Sequence, residues 1–248
     1  MSSSVDPRPF AIADRLAGVG RIVGVSGSKG GIGKSVVAST MALALADAGS
    51  RVGLFDLDFT SPSDHVVLGV ERSFPDEQFG VDPHEAHGVQ MMSIAFFAGE
   101  AAVPLRGAAT TNALLELLAI TRWGDLDVLI LDMPPGLGDT SLDVINLLPR
   151  LEFLLVGIGS RVVIESVRRA LSLLAELDVP LVGILENMRR SDDEIIASLA
   201  AEFGVPHLGP IPFDPKLETA LGDVGLLRKT TVYRELDQIL DGSSLASP

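Results

Sequence analysis

Ile22-Val23-Gly24-Val25-Ser26-Gly27-Ser28-Lys29-Gly30-Gly31-Ile32-Gly33-Lys34-Ser35-Val36-Val37-Ala38 reads as a β-branched apolar run, a glycine-rich turn and the start of a helix-period stretch that continues to Ala48. Its order is strand, loop, helix. Closely spaced backbone N–H groups at a helix N-terminus bind phosphate oxygens, and only glycine lets the chain wrap them that closely. In that reading Gly30, Gly31, Ile32, Gly33, Lys34, Ser35 and Val36 form the cradle. Lys34 meets the β- and γ-phosphates, and the Ser35 hydroxyl binds Mg²⁺. The common phosphate-loop pattern has glycine five positions before Gly33, where this chain has Ser28, and a second lysine, Lys29, stands inside the loop. The loop is therefore a deviant Walker A. The whole sequence has four lysines, Lys29, Lys34, Lys216 and Lys229, and two in one tight loop of an acidic chain point to phosphate.

Working outward, the next apolar run, Val52-Gly53-Leu54-Phe55, completes a βαβ unit of a parallel sheet. It ends in Asp56-Leu57-Asp58, two acids that alternation places on one face at the carboxyl edge, where open α/β sheets bind ligands. Further strands are expected at Val128–Leu131, Phe153–Val156 and Leu181–Leu185, their near-continuous hydrophobicity suiting strands covered on both faces. Asp132 closes the first of these, as the acid of a Walker B strand holding the Mg²⁺ shell does. Helices are expected at Asn112–Thr121, Val162–Leu177, Asp192–Phe203 and Val232–Leu240, the third opened by a Ser191 cap. The fold class is thus α/β, a mostly parallel central sheet with helices on both faces. Residues 1–20 read as a partly flexible leader with one or two helical turns, 21–241 as the nucleotide-binding domain and 242–248 as a frayed tail. Pro75, Gly80 and Pro83 break the pattern between Glu71 and Gly88, which reads as a surface excursion.

The sequence has 248 residues, of which 47% are hydrophobic and 21% charged, a composition that folds. Lys+Arg number 19 against 33 Asp+Glu, a net charge of −14, so non-specific attraction to nucleic acid or anionic lipid is not expected. No apolar run approaches the roughly 20 residues of a membrane span, and residues 1–10 lack the basic and apolar parts of a signal peptide. A cytoplasmic protein without membrane insertion is expected. Cysteine is absent, which excludes disulfides, cysteine nucleophiles and any iron-sulfur cluster held by this chain's own thiolates. His84-Glu85-Ala86-His87 has the composition of a metal site and equally that of a polar surface loop. Trp123 and Tyr233 read as packing residues.

Lys29 to Ser35, Asp56 to Asp58 with Ser61-Pro62-Ser63, Trp123 to Asp127, Asp132 to Asp139, Glu186-Asn187-Met188 and Gly209 to Pro215 follow one another in an order that resembles the MinD/ParA class of ATPases, specifically the Mrp-type branch of iron-sulfur cluster carriers. The resemblance runs over most of the chain. It implies an ATPase that binds ATP and Mg²⁺ and forms an ATP-sandwich homodimer. Lys29 is then the lysine that reaches the partner subunit's nucleotide, Asp58 orients the attacking water, and Ser35, Asp56 and Asp132 serve the metal. Asp139 lies in the γ-phosphate switch, Asn187 hydrogen-bonds the adenine, and Pro212 and Asp214 line the base pocket. The branch has a Cys-x-x-Cys pair shortly after Glu-Asn-Met, whereas here Met188 is followed by Arg189-Arg190-Ser191-Asp192, and Ser61 replaces the usual glycine. That combination implies assistance to metallocofactor assembly on a client that supplies its own ligands. A spatial organiser of the MinD/ParA kind and a nucleotide-gated regulatory adaptor are the alternative functions.

Overall fold

The computed structural model describes residues 6–97, 107–243 and 245, so most of the expected tail and the first residues of the leader lie outside the described residues. In chain order the elements are α1 (Arg8–Arg15), β1 (Val19–Gly27), α2 (Lys34–Asp47), β2 (Val52–Asp56), α3 (Asp64–Val67), β3 (His84–Ala86), β4 (Val89–Ser93), α4 (Ala108–Ile120), β5 (Leu126–Asp132) and α5 (Asp139–Leu147). They continue with β6 (Leu151–Gly157), α6 (Arg161–Glu176), β7 (Leu181–Arg189), α7 (Ile195–Phe203), β8 (His207–Pro212), α8 (Leu217–Ala220), α9 (Val224–Leu227) and α10 (Thr231–Asp241).

The strands form one eight-stranded sheet in the order β3-β4-β2-β5-β1-β6-β7-β8. Every named pairing is parallel except that of β3 with β4. The chain works to one side from β1 through β2 and β4, then returns to insert β5 and builds β6, β7 and β8 on the other side. The reversal opens a crevice at the carboxyl end of β1, the place where such sheets take ligands. Helix α2 packs against β1, β2 and β5 on one side and α10 on the other. It buries almost its whole interior, Val37 to Leu45, and so carries no polar face. Trp123 is buried with its ring 5.7 Å from Phe55, as a packing residue should be.

Several local expectations are corrected. The one or two helical turns expected ahead of Arg21 are α1, which lies on α4 with Ile12 and Leu16 buried, and β1 starts at Val19, two residues before the expected domain start. The excursion between Glu71 and Gly88 is partly built in, since Val81 is buried beside Thr121 and His84–Ala86 form an edge strand on β4. Helix α7 begins at Ile195 and not at Asp192, because Arg189 Nε donates to the Ser191 carbonyl and the Ser191 hydroxyl donates to Asp193. The Ser191 oxygen is used within its own turn and caps nothing.

Candidate functional site

The loop between β1 and α2 ends in Gly33, which has φ +81° and therefore sits where L side chains are strained. A Cβ there would also lie 2.4 Å from the Asn187 amide nitrogen, so glycine is required twice over. Gly33 caps α2 without a side-chain hydrogen bond, and no acid occupies the first turn. The free N–H groups and positive dipole end of α2 consequently face the crevice, an arrangement that binds anions. A cavity of about 550 Å³ opens here, lined by Lys29 to Gly31 and Gly33 to Val36, by Asp58, Thr60, Ser61 and Ser63, and by Pro135. Lys29 is exposed and Lys34 is buried.

Beneath the loop lies a buried acidic cluster. Asp56 and Asp132 end neighbouring strands and are register partners, so their carboxylates share one row of the sheet. Asp132 Oδ1 accepts a 2.5 Å hydrogen bond from Lys34 Nζ. Asp56 is held from the chain that follows it: Oδ1 accepts from the Asp58 N–H at 3.1 Å and Oδ2 from the Ser63 N–H at 2.9 Å. Burial, then repulsion from Asp132, pushes Asp56 up to about 7. Burial also raises Asp132, with Lys34 opposing it.

A third carboxylate, Asp64, completes the cluster and was not among the residues expected from sequence. It is fully buried at the start of α3, accepts a 2.9 Å hydrogen bond from the Ser39 hydroxyl, and is raised well above the ordinary range by burial and then by Asp132 and Asp56. One Asp after Ser-Pro-Ser reads locally as a helix-start residue, so no sequence signal separates it from that role. Among the described residues, Asp56, Asp64 and Asp132 are the group of His, Asp and Glu side chains close enough to share one ion. His84 and His87 are not: their Nε2 atoms lie against the carbonyls of Ser73 and Leu68, and His84 packs on the Phe96 ring.

Asp58 lies two residues beyond the end of β2. The chain turns at the end of β2, and Asp58 is half-buried beside the cavity, its Oδ1 accepting from Thr60 Oγ1 at 2.6 Å and from the Ser61 N–H at 3.2 Å. Asp139 is exposed in the first turn of α5. The segment leading to it is tied to the loop, with the Gly136 N–H donating to Gly27 O at 2.8 Å.

The residues expected around a base are engaged with the protein itself. Asn187 is buried and donates from Nδ2 to Ile32 O at 2.9 Å, which braces the phosphate loop from β7. Asp214 accepts from the Lys216 N–H at 2.9 Å and from the Thr231 N–H at 2.7 Å; the Thr231 bond is the main reason its carboxyl is held below the ordinary range. Pro212 ends β8 opposite Arg189. Beyond it Arg190 lies 3.8 Å over the Phe213 ring.

The oxygen donors fit a hard divalent ion such as Mg²⁺, and two of them, Asp64 Oδ2 and Asp132 Oδ2, are buried without a hydrogen-bond partner. No helix of the described residues is long and apolar enough to cross a membrane.

Over residues 18–240 the sequence matches the ParA family described as the NUBPL iron-transfer P-loop NTPases. It is 33% identical over 226 residues to an iron-sulfur cluster carrier protein of Aquifex aeolicus, covering 85% of this chain and 62% of the relative. A chloroplastic Fe-S cluster assembly factor of Oryza sativa is 34% identical over 228 residues, covering 87% of this chain and 43% of that protein. The chain thus spans less than two thirds of the length of these relatives, 62% of the one and 43% of the other. Among solved structures, a nucleotide-binding protein of Archaeoglobus fulgidus in complex with ADP superposes with a TM-score of 0.74 at 27% identity, covering 89% of this chain and 93% of its own. MinD of Pyrococcus horikoshii with Mg-ADP shares the fold, with a TM-score of 0.65 at 20% identity over 92% of this chain and 97% of its own.

Proposed function

The chain belongs to the NUBPL iron-transfer P-loop NTPases of the ParA type, and from that premise we propose that it is a Mg²⁺-dependent ATPase that dimerises around ATP and assists metallocofactor assembly on a client. One observation carries the reading: a cavity of about 550 Å³ is lined by a bare helix N-terminus and by Lys34, whose ammonium is paired with buried Asp132.

In this reading the α2 N–H groups and Lys34 bind the β- and γ-phosphates, and Lys34 leaves Asp132 to do so. Ser35, Asp56 and Asp132 hold Mg²⁺, which when bound supplies positive charge to the phosphate oxygens. Asp58 orients water toward the γ-phosphorus; its bonds from Thr60 and Ser61 fix the carboxylate while leaving it at the cavity wall. Exposed Lys29 reaches the partner subunit's nucleotide. Asp139 reports the γ-phosphate to α5 through the segment tied to Gly27. Asn187, Pro212 and Asp214 frame the base, Asn187 through its brace on the loop.

The cargo step differs from that of a thiolate carrier, because this sequence has no cysteine. The client therefore contributes the iron or cluster ligands, and the nucleotide cycle of this chain opens and closes the complex. A cytoplasmic setting and the absence of a nucleic-acid partner belong to the same proposal, with the net charge of −14 in their support.

Light scattering with ADP and with a slowly hydrolysed ATP analogue plus Mg²⁺ tests the cycle. Wild type is expected to shift from monomer to dimer only with the ATP analogue, and Lys29→Ala is expected to stay monomeric. A wild-type monomer in every state would leave a simple nucleotide sensor.

A further inference from the structure

The acidic cluster sets three buried carboxyl groups against one lysine. Asp56, Asp64 and Asp132 each offer an oxygen within 4.8 Å of the others, and all three are fully buried. Ser39 satisfies one oxygen of Asp64, and Lys34 one oxygen of Asp132; the second oxygen of each is buried without a partner. A buried oxygen without a partner is costly to keep, and it is free to take a ligand. One cation already sits there, the Lys34 ammonium, 2.5 Å from Asp132 Oδ1. It pairs with one of the three carboxyl groups.

We propose that Asp56, Asp64 and Asp132 form a divalent-cation site that fills without nucleotide, in exchange with the Lys34 ammonium. At metal–oxygen distances of about 2.1 Å, neighbouring oxygens around a Mg²⁺-sized ion lie about 3 Å apart, so the three carboxylates, now within 4.8 Å of one another, draw together as the ion enters. The all-carboxylate set selects a hard ion, Mg²⁺ or Mn²⁺, over a soft one. Asp64 is the residue that sets this site apart, since it lies outside the set of Ser35, Asp56 and Asp132 assigned to the nucleotide's metal. Departure of Lys34 toward phosphate would let the ion enter, and entry of the ion would free Lys34 for phosphate. This exchange rests on the nucleotide reading for its use in the cycle, but the site itself does not.

The test uses the full chain stripped of metal and nucleotide, with Mn²⁺ as probe, followed by electron paramagnetic resonance and by thermal unfolding. Wild type is compared with Asp64→Asn, Lys34→Met and the double variant. Lys34→Met is expected to bind one Mn²⁺ per chain at least about tenfold more tightly than wild type and to gain thermal stability with it. Asp64→Asn should weaken Mn²⁺ at least about tenfold in either background. Should Lys34→Met fold only with Mn²⁺ present, the site is supported directly. Absence of Mn²⁺ binding by folded Lys34→Met at millimolar metal overturns the proposal. So does equal Mn²⁺ affinity in wild type and Asp64→Asn, which decides the matter if Lys34→Met does not fold at all. Mn²⁺ binding with no binding of an ATP analogue would sink the ATPase reading and leave this site, whereas analogue binding with Mg²⁺ but no Mn²⁺ alone would do the reverse.

Discussion

The carboxyl edge of β1, β2 and β5 and the carboxyl edge of β7 and β8 are built from similar material, with Asp, Asn, Gly and Pro following apolar strands, yet they handle polar groups in opposite ways. At the first edge Asp64 Oδ2 and Asp132 Oδ2 are left unpartnered and α2 is uncapped by any side chain. At the second, Asn187 is spent on Ile32 O and both Asp214 oxygens on backbone N–H groups. Glu186 is the exception there, with a buried unpartnered Oε2. Buried polar capacity that the protein does not use is capacity for a ligand, and polar groups already paired make scaffold. On that contrast the proposed phosphate chemistry centres on the first edge, while the residues proposed around the base are held in place by their own bonds at the second.

That contrast sets the scale of the expected losses. Asp58→Ala removes the carboxylate at the cavity wall and should lower ATP turnover about 10²- to 10⁴-fold while thermal stability changes little. Phosphate-release assays on folded variant check it, and unchanged turnover would remove Asp58 from the chemistry. Gly33→Ala forces a strained φ and a collision with Asn187, so a loss of about 1–3 kcal/mol in denaturant unfolding is expected, together with weaker binding of an ATP analogue.

Asn187→Ala strips the donor from a buried carbonyl and should cost about 1–3 kcal/mol, with any loss of nucleotide affinity following from the loosened loop. A preference for ATP over GTP in wild type that is lost in the variant supports Asn187 at the base, whereas the same preference in both leaves it as a brace alone. The smallest effect belongs to Asp214→Ala, about 1 kcal/mol, because it releases one helix-end N–H and one turn. Its pH dependence has a defined sign. The folded-state carboxyl lies below the ordinary value, so its contribution is complete above the unfolded pKa near 4 and fades as pH falls toward the lowered value. The difference between wild type and Asp214→Ala should therefore shrink below about pH 4 in urea titrations.

Local pattern told most about the regions where one element does one job. The strand, glycine loop and helix from Ile22 to Ala48 were legible because apolar period, glycine spacing and lysine placement agree. Strands β4 and β8 were not. Val89–Ser93 follows a broken stretch, and His207–Pro212 carries Gly209, Pro210 and Pro212, which suppress a strand reading but are tolerated on an edge. The phosphate loop and Asp132 could be placed from spacing, whereas Asp64 joins them only through the fold, which carries α3 back over the end of β2. The Ser191 cap failed for a related reason: a neighbouring arginine and aspartate competed for the same turn.

The central claim is that the first edge binds and splits ATP through Lys34 and the cluster beneath it. Steady-state phosphate release from Mg-ATP, measured for wild type and Lys34→Ala with folding checked by circular dichroism, tests it most directly. Release by wild type that is lost in Lys34→Ala is the predicted result; a folded Lys34→Ala that releases phosphate at the wild-type rate would contradict it.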